Sequence, residues 1–392
     1  MLRLRHPLVL LLLPITLTIL LLHFASSPPP SSPTPQPVPC GAALSDATDG
    51  RWVPTPSPAP PPLYSASCPF HRNAWNCLRN GRPQLAALSW APTRCGGAVV
   101  PRIDAAGFLA AARGRRIGLV GDSLSENLVV ALLCALRSSD DGARKWKRRG
   151  AWRGGYFPRE DVVVAYHRAV LLAKYTSIRG GSILTLMYYL AAIAIVGYKH
   201  ATEESSEKSA TIIKTIKMVA ACGEVQRTSE GWSKGYYRVD IDIPADDWVN
   251  VTKFYDVLIF NTGHWKTLKL WRTQSPRHFY GDYAFQKSYS LFENPVQLNH
   301  WFDPMFGGVN KEARMVNSEI KEAIAGTDIQ LLNLTYMSEF RADAHPAIWL
   351  GKKDAVAVYG QDCMHWCLPG VPDTWVDILA AQILHYLKKG KG

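Results

Sequence analysis

Short apolar runs that end abruptly in glycine or polar residues recur along the chain, with helical patterns of apolar residues between them. The runs occupy 116–120, 161–168 and 255–260. Runs of this length predict buried strands, whereas apolar residues at helical spacing in 124–137 and 310–325 predict helices. Strands that alternate with helices are typical of an α/β fold, in which helices flank a parallel sheet.

The turn after the first run is a candidate for chemistry. Gly121-Asp122-Ser123 separates the predicted strand from the helix, so the Ser123 hydroxyl would stand at the end of a strand and at a helix N-terminus. Backbone N–H groups and the helix dipole favour a developing negative charge there, as an acyl-transfer nucleophile requires. The alternative is a purely structural cap, because Asp and Ser are both preferred before the first turn of a helix.

Two other residues follow the second and third runs in the same way. Arg168 ends one run, and Asn261 comes directly after the other. Ligands bind outside the carboxyl ends of the strands in open parallel sheets. We therefore expect both residues at the same edge of the sheet as Ser123.

A second chemical pattern lies near the C-terminus. Asp362 and His365 are three residues apart, a spacing that lets a carboxylate on a turn fix the tautomer of an imidazole. Such an imidazole can take the proton of a serine hydroxyl, which is otherwise a weak nucleophile. The alternative for His365 is a structural role among its Trp and Cys neighbours. Asp373 is predicted to be the N-cap of a final helix that ends near residue 387.

The N-terminus carries a membrane signal. A basic start precedes an apolar stretch over 8–24, which fits either a cleaved signal peptide or a signal anchor. The length favours the anchor, so that 1–7 is a cytoplasmic tail and the rest of the chain is lumenal. A Pro- and Ser-rich stalk is predicted over 25–62. The lumenal catalytic domain is then expected over 63–388.

Eight cysteines fit an oxidising compartment better than a metal site. Cys363 and Cys367 are close enough to suggest zinc, but no second pair has zinc-like spacing. We therefore predict disulfides of undetermined connectivity, which hold a loop-rich lobe over 40–113. The acceptor sequons at Asn250 and Asn333 suit the same compartment. The net charge of +12 does not predict a nucleic-acid partner, because the basic residues are scattered and no nucleic-acid-binding motif accompanies them.

Two stretches lack the strand–helix alternation. The segment 138–159 is predicted to be a loop. The segment 177–230 is predicted to be an atypical insertion whose removal leaves activity intact. Its apolar run over 183–198 would place the C-terminal half in the cytoplasm if it crossed the bilayer, so a buried helix or irregular insertion is preferred.

Six motifs together resemble the plant trichome-birefringence-like family of PC-esterase type, within the wider SGNH/GDSL esterase scheme. The resemblance covers about residues 40–388. The motifs are Cys68-Pro-Phe, Asn76-Cys-Leu-Arg-Asn-Gly-Arg-Pro83, Gly121-Asp-Ser-Leu-Ser125, Phe260-Asn-Thr-Gly-His-Trp265, Ser275-Pro-Arg-His-Phe279 and Asp362-Cys-Met-His-Trp-Cys-Leu-Pro-Gly370.

The resemblance implies a Golgi single-pass type II membrane protein that O-acetylates plant cell-wall polysaccharides. It implies Ser123 as the nucleophile, His365 as the general base and Asp362 as its orienting partner. The residues expected to bind the oxyanion or the substrate are Gly121, Asn261, Gly263, Arg168 and His345.

No tightly bound cofactor and no metal are expected. An acetyl donor such as acetyl-CoA would be a co-substrate, and xylan, mannan, xyloglucan or pectin would be the acceptor. Ser123 would form an acyl-enzyme that a sugar hydroxyl then attacks. Two alternatives stay open: an acetyl esterase, in which water attacks instead, and a non-catalytic polysaccharide-binding protein.

Overall fold

A computed structural model of the protein describes separate segments of the chain, all within the unit Val38–Gly392. The predicted anchor and most of the predicted stalk and insertion lie outside these segments. No helix within them is both long and apolar enough to cross a bilayer. The described residues are 44, 47, 49–55, 61–82, 88–148, 153–169, 173–179, 210–214, 236–244, 251, 254–260, 268–276, 278, 309–327, 329–346, 349–351, 362 and 364–389.

Strands and helices alternate through most of these segments. The described strands are β1 (Gly50–Pro54), β2 (Leu88–Pro92), β3 (Arg116–Gly121), β4 (Arg144–Trp146), β5 (Arg153–Phe157), β6 (Val162–Arg168), β7 (Ala173–Arg179), β8 (Ala210–Lys214), β9 (Tyr236–Pro244), β10 (Val257–Phe260), β11 (Leu268–Arg272) and β12 (Gln330–Leu332). The described α-helices are α1 (Ala105–Ala111), α2 (Ser123–Arg137), α3 (Val309–Ile324), α4 (Thr335–Glu339) and α5 (Val371–Lys389).

A mixed sheet with mainly parallel strands lies at the centre. Its strand order is β12-β11-β10-β3-β6-β5-β4. The five strands from β12 to β6 are parallel, whereas β5 and β4 run antiparallel at one edge. The carboxyl ends of β3, β6 and β10 therefore meet at one edge of the sheet, as the sequence predicted.

Both faces of this sheet are covered, because its strands are apolar on both sides. Ile117, Leu119 and Ile259 face the core that contains α1, α2 and α5. Val120 and Phe260 point to the opposite face, where α3 packs against β11. A central sheet with helices on both sides confirms the predicted fold class.

The predicted loop over 138–159 is wrong, because it contains the antiparallel pair β4 and β5. Gly154 permits β5 to pair with β6, because a Cβ there would lie 2.2 Å from the Val164 carbonyl oxygen. Asp373 is likewise not the cap of the last helix. The helix begins at Val371, and Asp373 in its first turn accepts a hydrogen bond from the Gly370 N–H.

Two smaller sheets lie outside the central one. β1 and β2 pair antiparallel in the N-terminal lobe, and β7, β9 and β8 form a three-stranded antiparallel sheet. β8 falls inside the predicted insertion. That 177–230 is dispensable stays a prediction.

Disulfides join the N-terminal lobe (40–113) to the rest of the domain. Cys68 bonds Cys134 on α2, and Cys77 bonds Cys367, 290 residues further along the chain. Cys95 is also disulfide-bonded, whereas Cys363 lies outside the described residues. The lobe is thus held by disulfides as predicted, and two of them attach it to the catalytic half.

Candidate active site

The nucleophile turn is shaped by a glycine. Gly121 ends β3 with φ of 156°, a backbone angle that residues with a Cβ rarely adopt. Its carbonyl oxygen accepts hydrogen bonds from the Tyr166 hydroxyl and the Ala169 N–H, each at 3.0 Å. The chain can therefore leave the sheet sharply and enter α2 at Ser123.

Asp122 is the cap of that helix. Its Oδ1 atom accepts the N–H groups of Leu124 at 3.0 Å and Ser125 at 3.3 Å. Arg272, which is buried, lies 3.5 Å from the same oxygen atom. Because Asp122 supplies the capping interaction, the Ser123 hydroxyl does not have to, and it faces the second half of the site.

The three predicted catalytic side chains meet in one line of contacts. Ser123 Oγ lies 2.7 Å from His365 Nε2. On the other side of the ring, His365 Nδ1 lies 2.9 Å from Asp362 Oδ2. The carboxylate fixes the tautomer in which Nδ1 carries the proton and Nε2 can accept one from serine. This is the geometry of an activated serine nucleophile.

The charges in this line support one another. Burial disfavours the charged form of His365, but the Asp362 carboxylate outweighs it and raises the pKa of that imidazole. Burial also opposes ionisation of Asp362, yet His365 and two backbone N–H groups lower its pKa to about 2. Asp362 is therefore ionised at neutral pH, and it stabilises the imidazolium that forms when Ser123 loses its proton.

The loop that carries His365, residues 362–370, is held by groups distant in sequence; we call it the catalytic loop. Asn127, one turn after Ser123 on α2, accepts the Trp366 N–H at 3.0 Å and donates to the Trp366 carbonyl at 3.2 Å. The Cys367 N–H donates to the Ala344 carbonyl at 2.9 Å. α2 thus carries both the nucleophile and a clamp on the loop that carries the base.

Trp75, from the N-terminal lobe, covers the catalytic base. Its ring stacks on the imidazole of His365, with centroids 5.0 Å apart and planes 29° from parallel. Its carbonyl accepts the Leu368 N–H at 2.9 Å. The Cys77–Cys367 disulfide is close to this contact, because Cys77 is two residues after Trp75 and Cys367 is two residues after His365. The lobe therefore contributes directly to the position of His365.

A buried histidine pair supports the loop from behind. His345 Nδ1 donates to the His365 carbonyl at 2.7 Å, and its Nε2 lies 2.7 Å from His278 Nδ1. His278 Nε2 in turn donates to the Glu339 carbonyl at 3.1 Å. Burial lowers the pKa of His278 to about 4 and lowers that of His345 as well. When both imidazoles are neutral, the pair carries two N–H groups. Hydrogen bonds at all three contacts, to the His365 carbonyl, between the two rings and to the Glu339 carbonyl, would need one more proton.

The remaining predicted site residues differ in burial and in whether the structure describes them. His345 is fully buried, so it has no surface for a polysaccharide, and its predicted pocket role is corrected to a supporting one. Arg168 is exposed at the end of β6, opposite Gly121 in the strand register. Asn261 and Gly263 lie outside the described residues, directly after β10. The described residues contain no cluster of ligands suited to a metal ion.

A Ser–His–Asp line of contacts therefore lies at the carboxyl edge of a mainly parallel sheet, and comparisons with known proteins place the chain in a family of acyl-esterase type. The family described as "PC-Esterase: GDSL/SGNH-like Acyl-Esterase family found in Pmr5 and Cas1p" matches residues 100–187 and 266–382. The "PMR5 N terminal Domain" matches 45–96. The interruption between the first two matched segments overlaps the predicted insertion.

Two individual relatives show to which family of this type the chain is similar. The chain is 46% identical to Protein trichome birefringence-like 12 of Arabidopsis thaliana, over 88% of this chain and 86% of that protein. It is 30% identical to Protein trichome birefringence-like 13 of the same plant, over 88% and 85%. The chain therefore belongs to the trichome birefringence-like family of PC-esterases.

Sequence reasoning missed three residues of the site. Trp75 stacks on the base, Asn127 clamps the loop, and Tyr166 holds the Gly121 carbonyl. Trp75 directly precedes a motif that the resemblance singled out, and Asn127 is one helical turn from Ser123. Those two positions were the available signals, although neither indicates a partner without the fold.

Proposed function

We propose that the protein is a Golgi O-acetyltransferase that acetylates plant cell-wall polysaccharide through an acyl-enzyme on Ser123. The observation that carries this proposal is the continuous contact from Ser123 through His365 to Asp362, in a family of acyl-esterase type. The apolar stretch 8–24 supports a single-pass type II orientation. Disulfides between the lobe and the catalytic half support an oxidising lumen.

In the first step, Ser123 Oγ attacks the carbonyl carbon of the acetyl donor. His365 Nε2 takes the hydroxyl proton as the new C–O bond forms, and it then protonates the leaving group. The N–H of Ser123 lies in the first turn of α2, where Asp122 already accepts those of the two next residues. This N–H, with Gly121 and Asn261 by their position at the edge, would stabilise the oxyanion.

In the second step, a sugar hydroxyl attacks the acetyl group on Ser123. His365 takes the proton of that hydroxyl and returns it to Ser123 Oγ as the acyl-enzyme breaks down. Asp362 keeps the imidazole oriented through both transfers. The products are the acetylated polysaccharide and the free serine.

Hydrolysis is the second candidate, because the matching family is described as an acyl-esterase family. Water would then replace the sugar hydroxyl in the second step. The same three side chains would serve, so the two reactions differ only in the acceptor that reaches the acyl-enzyme.

The test uses the full-length protein in detergent, an acetyl donor, and oligosaccharides from xylan, mannan, xyloglucan and pectin. We expect mass spectrometry to detect acetylated oligosaccharide with at least one acceptor. Ser123→Ala should abolish it, whereas Ser138→Ala, at the far end of α2, should not. Release of free acetate at a rate that no acceptor changes would favour the esterase. Full transfer by Ser123→Ala would overturn the proposal.

A further inference from the structure

Three arginines converge beside the N-terminus of α2. Arg153 on β5 is paired with Tyr166 on β6, and directly opposite residues share a face of the sheet. Arg168 lies two residues beyond Tyr166, so it is on that face too. Arg72, from the N-terminal lobe, forms an ion pair with Glu126, which also lies 3.7 Å from Arg153. We call Arg72, Arg153 and Arg168 the arginine cluster.

The arginine cluster borders the nucleophile. Glu126, the ion-pair partner of Arg72 and Arg153, is one helical turn after Ser123. The guanidinium of Arg72 lies 5.8 Å from the centre of the Trp75 ring, the same ring that stacks on His365. A substrate group held by the cluster would therefore lie beside the reacting atoms.

The charge at this place is not balanced. Glu126 is one carboxylate against three guanidinium groups, and Asp122 nearby is already paired with Arg272. The side chains of Arg72 and Arg153 are 41% and 61% exposed. Within the described part of the chain, no carboxylate lies within ion-pair distance of Arg168, which is exposed as well. The helix dipole adds further positive potential.

We propose that the arginine cluster binds carboxylates of the acceptor, so that the acceptor is a uronate-bearing, acidic polysaccharide such as pectin rather than a neutral one. Guanidinium groups bind planar carboxylates through paired hydrogen bonds. Three exposed guanidiniums on three separate elements match a chain with repeated carboxylates better than a single small anion. This inference rests on the proposed function for its use of the site.

The experiment compares an oligogalacturonide with the same oligosaccharide after chemical reduction of its carboxyl groups. For the full-length protein, we expect kcat/KM to be higher with the acidic acceptor and to fall as salt is added. The double variant Arg153→Gln/Arg168→Gln should lower the acidic-to-neutral ratio by about three- to tenfold, mainly through the acceptor KM. Arg113→Gln, an exposed arginine paired with Glu160 before β3, should not change that ratio.

Binding gives a readout that does not depend on turnover. Calorimetry on the Ser123→Ala protein should show salt-sensitive binding of the oligogalacturonide, weakened by the double arginine substitution. No preference for the acidic acceptor in binding and rate would overturn the inference while leaving transfer intact. An increase in the donor KM alone would also overturn it, because it would assign the cluster to donor phosphates. Binding without any Ser123-dependent transfer would instead support the subsite and remove the proposed reaction.

Discussion

The two halves of the catalytic line are positioned in different ways. Ser123 is held by its own neighbourhood: Gly121 shapes the turn, Asp122 caps the helix, and β3 and α2 fix both ends. His365 lies in a loop without a helix or strand of its own, and the groups that hold it come from the lobe, from α2 and from a histidine pair. Ser123 is thus placed by local structure, and His365 by tertiary contacts.

This difference shows which changes would act on each half. Substitutions around Ser123 should alter the turn itself, whereas many distant substitutions should shift His365. A shift of about 1 Å is enough to lower a rate a hundredfold. The catalytic loop is therefore where mutations outside the line of three should affect chemistry.

Of the changes considered for the catalytic loop, Asp362→Asn should have the largest effect. It removes the negative charge beside His365 without removing a side chain. The amide oxygen can still accept the backbone N–H groups of Met364 and His365, but the charge that holds the imidazole is lost. We expect kcat to fall by about 10³- to 10⁴-fold, as for a base in the wrong tautomer.

The pH profile sharpens this prediction. The carboxylate raises the pKa of His365, and a base works only when it is neutral. The rate should rise with pH as His365 loses its proton. This rise should therefore occur at lower pH in Asp362→Asn than in the wild type. A variant rate within tenfold of the wild type would show that Asp362 does not orient the base.

The second prediction compares the two disulfides. Replacing either pair with alanine should lower the free energy of unfolding by about 2–4 kcal/mol. Cys77→Ala/Cys367→Ala also releases the loop beside His365, so kcat should fall about ten- to a hundredfold. Cys68→Ala/Cys134→Ala releases the lobe from the far part of α2 and should lower kcat less.

Urea unfolding and initial rates under conditions where both variants are folded would separate the two effects. Equal losses of kcat in both pairs would mean that the lobe acts as a whole. In that case the link to the catalytic loop would have no special role.

The third prediction concerns the clamp on the loop. Asn127→Leu leaves the Trp366 N–H and carbonyl unpaired in a buried place, and each unpaired group costs about 1–3 kcal/mol. We expect kcat to fall about tenfold, equivalent to about 1.4 kcal/mol, with little change in the acceptor KM.

Asn317→Leu is the matched control for this variant. Asn317 on α3 also makes two hydrogen bonds, accepting the Gln274 N–H and donating to the Thr335 hydroxyl, and neither partner belongs to the catalytic loop. It should lose stability without a comparable loss of kcat. If both variants lose rate equally, stability and not loop position explains the effect.

The contrast between local structure around Ser123 and tertiary contacts around His365 also explains which parts of the molecule the sequence could predict. The sequence could predict β3, β6, β10, α2 and the Ser123 turn, because apolar spacing, glycine and a capping residue act over a few positions. Asp362 and His365 were predictable as a pair because they are neighbours on one turn. Trp75 and Asn127 were not, because their partners lie more than 200 residues away and the contact exists only after folding.

The edge hairpin of β4 and β5 was missed for another reason. Its sequence is rich in Arg, Lys and Gly and lacks apolar alternation, so it resembles a loop. Gly154 allows the close approach to β6, and the paired backbone, not apolar burial, defines the strand. An interior parallel strand such as β10 has both a buried apolar sequence and a paired backbone. An edge strand has the paired backbone but lacks the apolar run that a sequence would show.

The smallest effect on activity, with a clear effect on stability, is expected from Asp377 on α5, whose carboxyl accepts the Ile103 N–H of the N-terminal lobe and not an N–H of the catalytic loop. Burial raises the pKa of Asp373 to about 6 and, with the Asp373 charge adding to it, that of Asp377 to about 7. In the unfolded chain both titrate near their ordinary value of about 4. At these two carboxyls the unfolded state therefore binds fewer protons between about pH 4 and pH 7, so their contribution to stability falls as pH rises.

The lowered pKa values of the buried His278 and His345 act in the opposite sense below about pH 6.5, so the measurement compares Asp377→Asn with the wild type at each pH. The Tm of the variant relative to the wild type should be higher at pH 8 than at pH 5.5, by about 2–4 °C for each kcal/mol. The substitution keeps the hydrogen bond at this position, because the amide oxygen can still accept the Ile103 N–H that Asp377 Oδ1 accepts at 2.8 Å. Asp141→Asn, at a carboxyl that is 85% exposed, should leave the pH dependence of the Tm unchanged. A Tm difference between Asp377→Asn and the wild type that is the same at pH 5.5 and pH 8 would contradict the assignment. Since the Asp377 carboxyl accepts the Ile103 N–H and not an N–H of the catalytic loop, kcat of Asp377→Asn at a permissive temperature should change little, whereas substitutions in the catalytic loop should lower it.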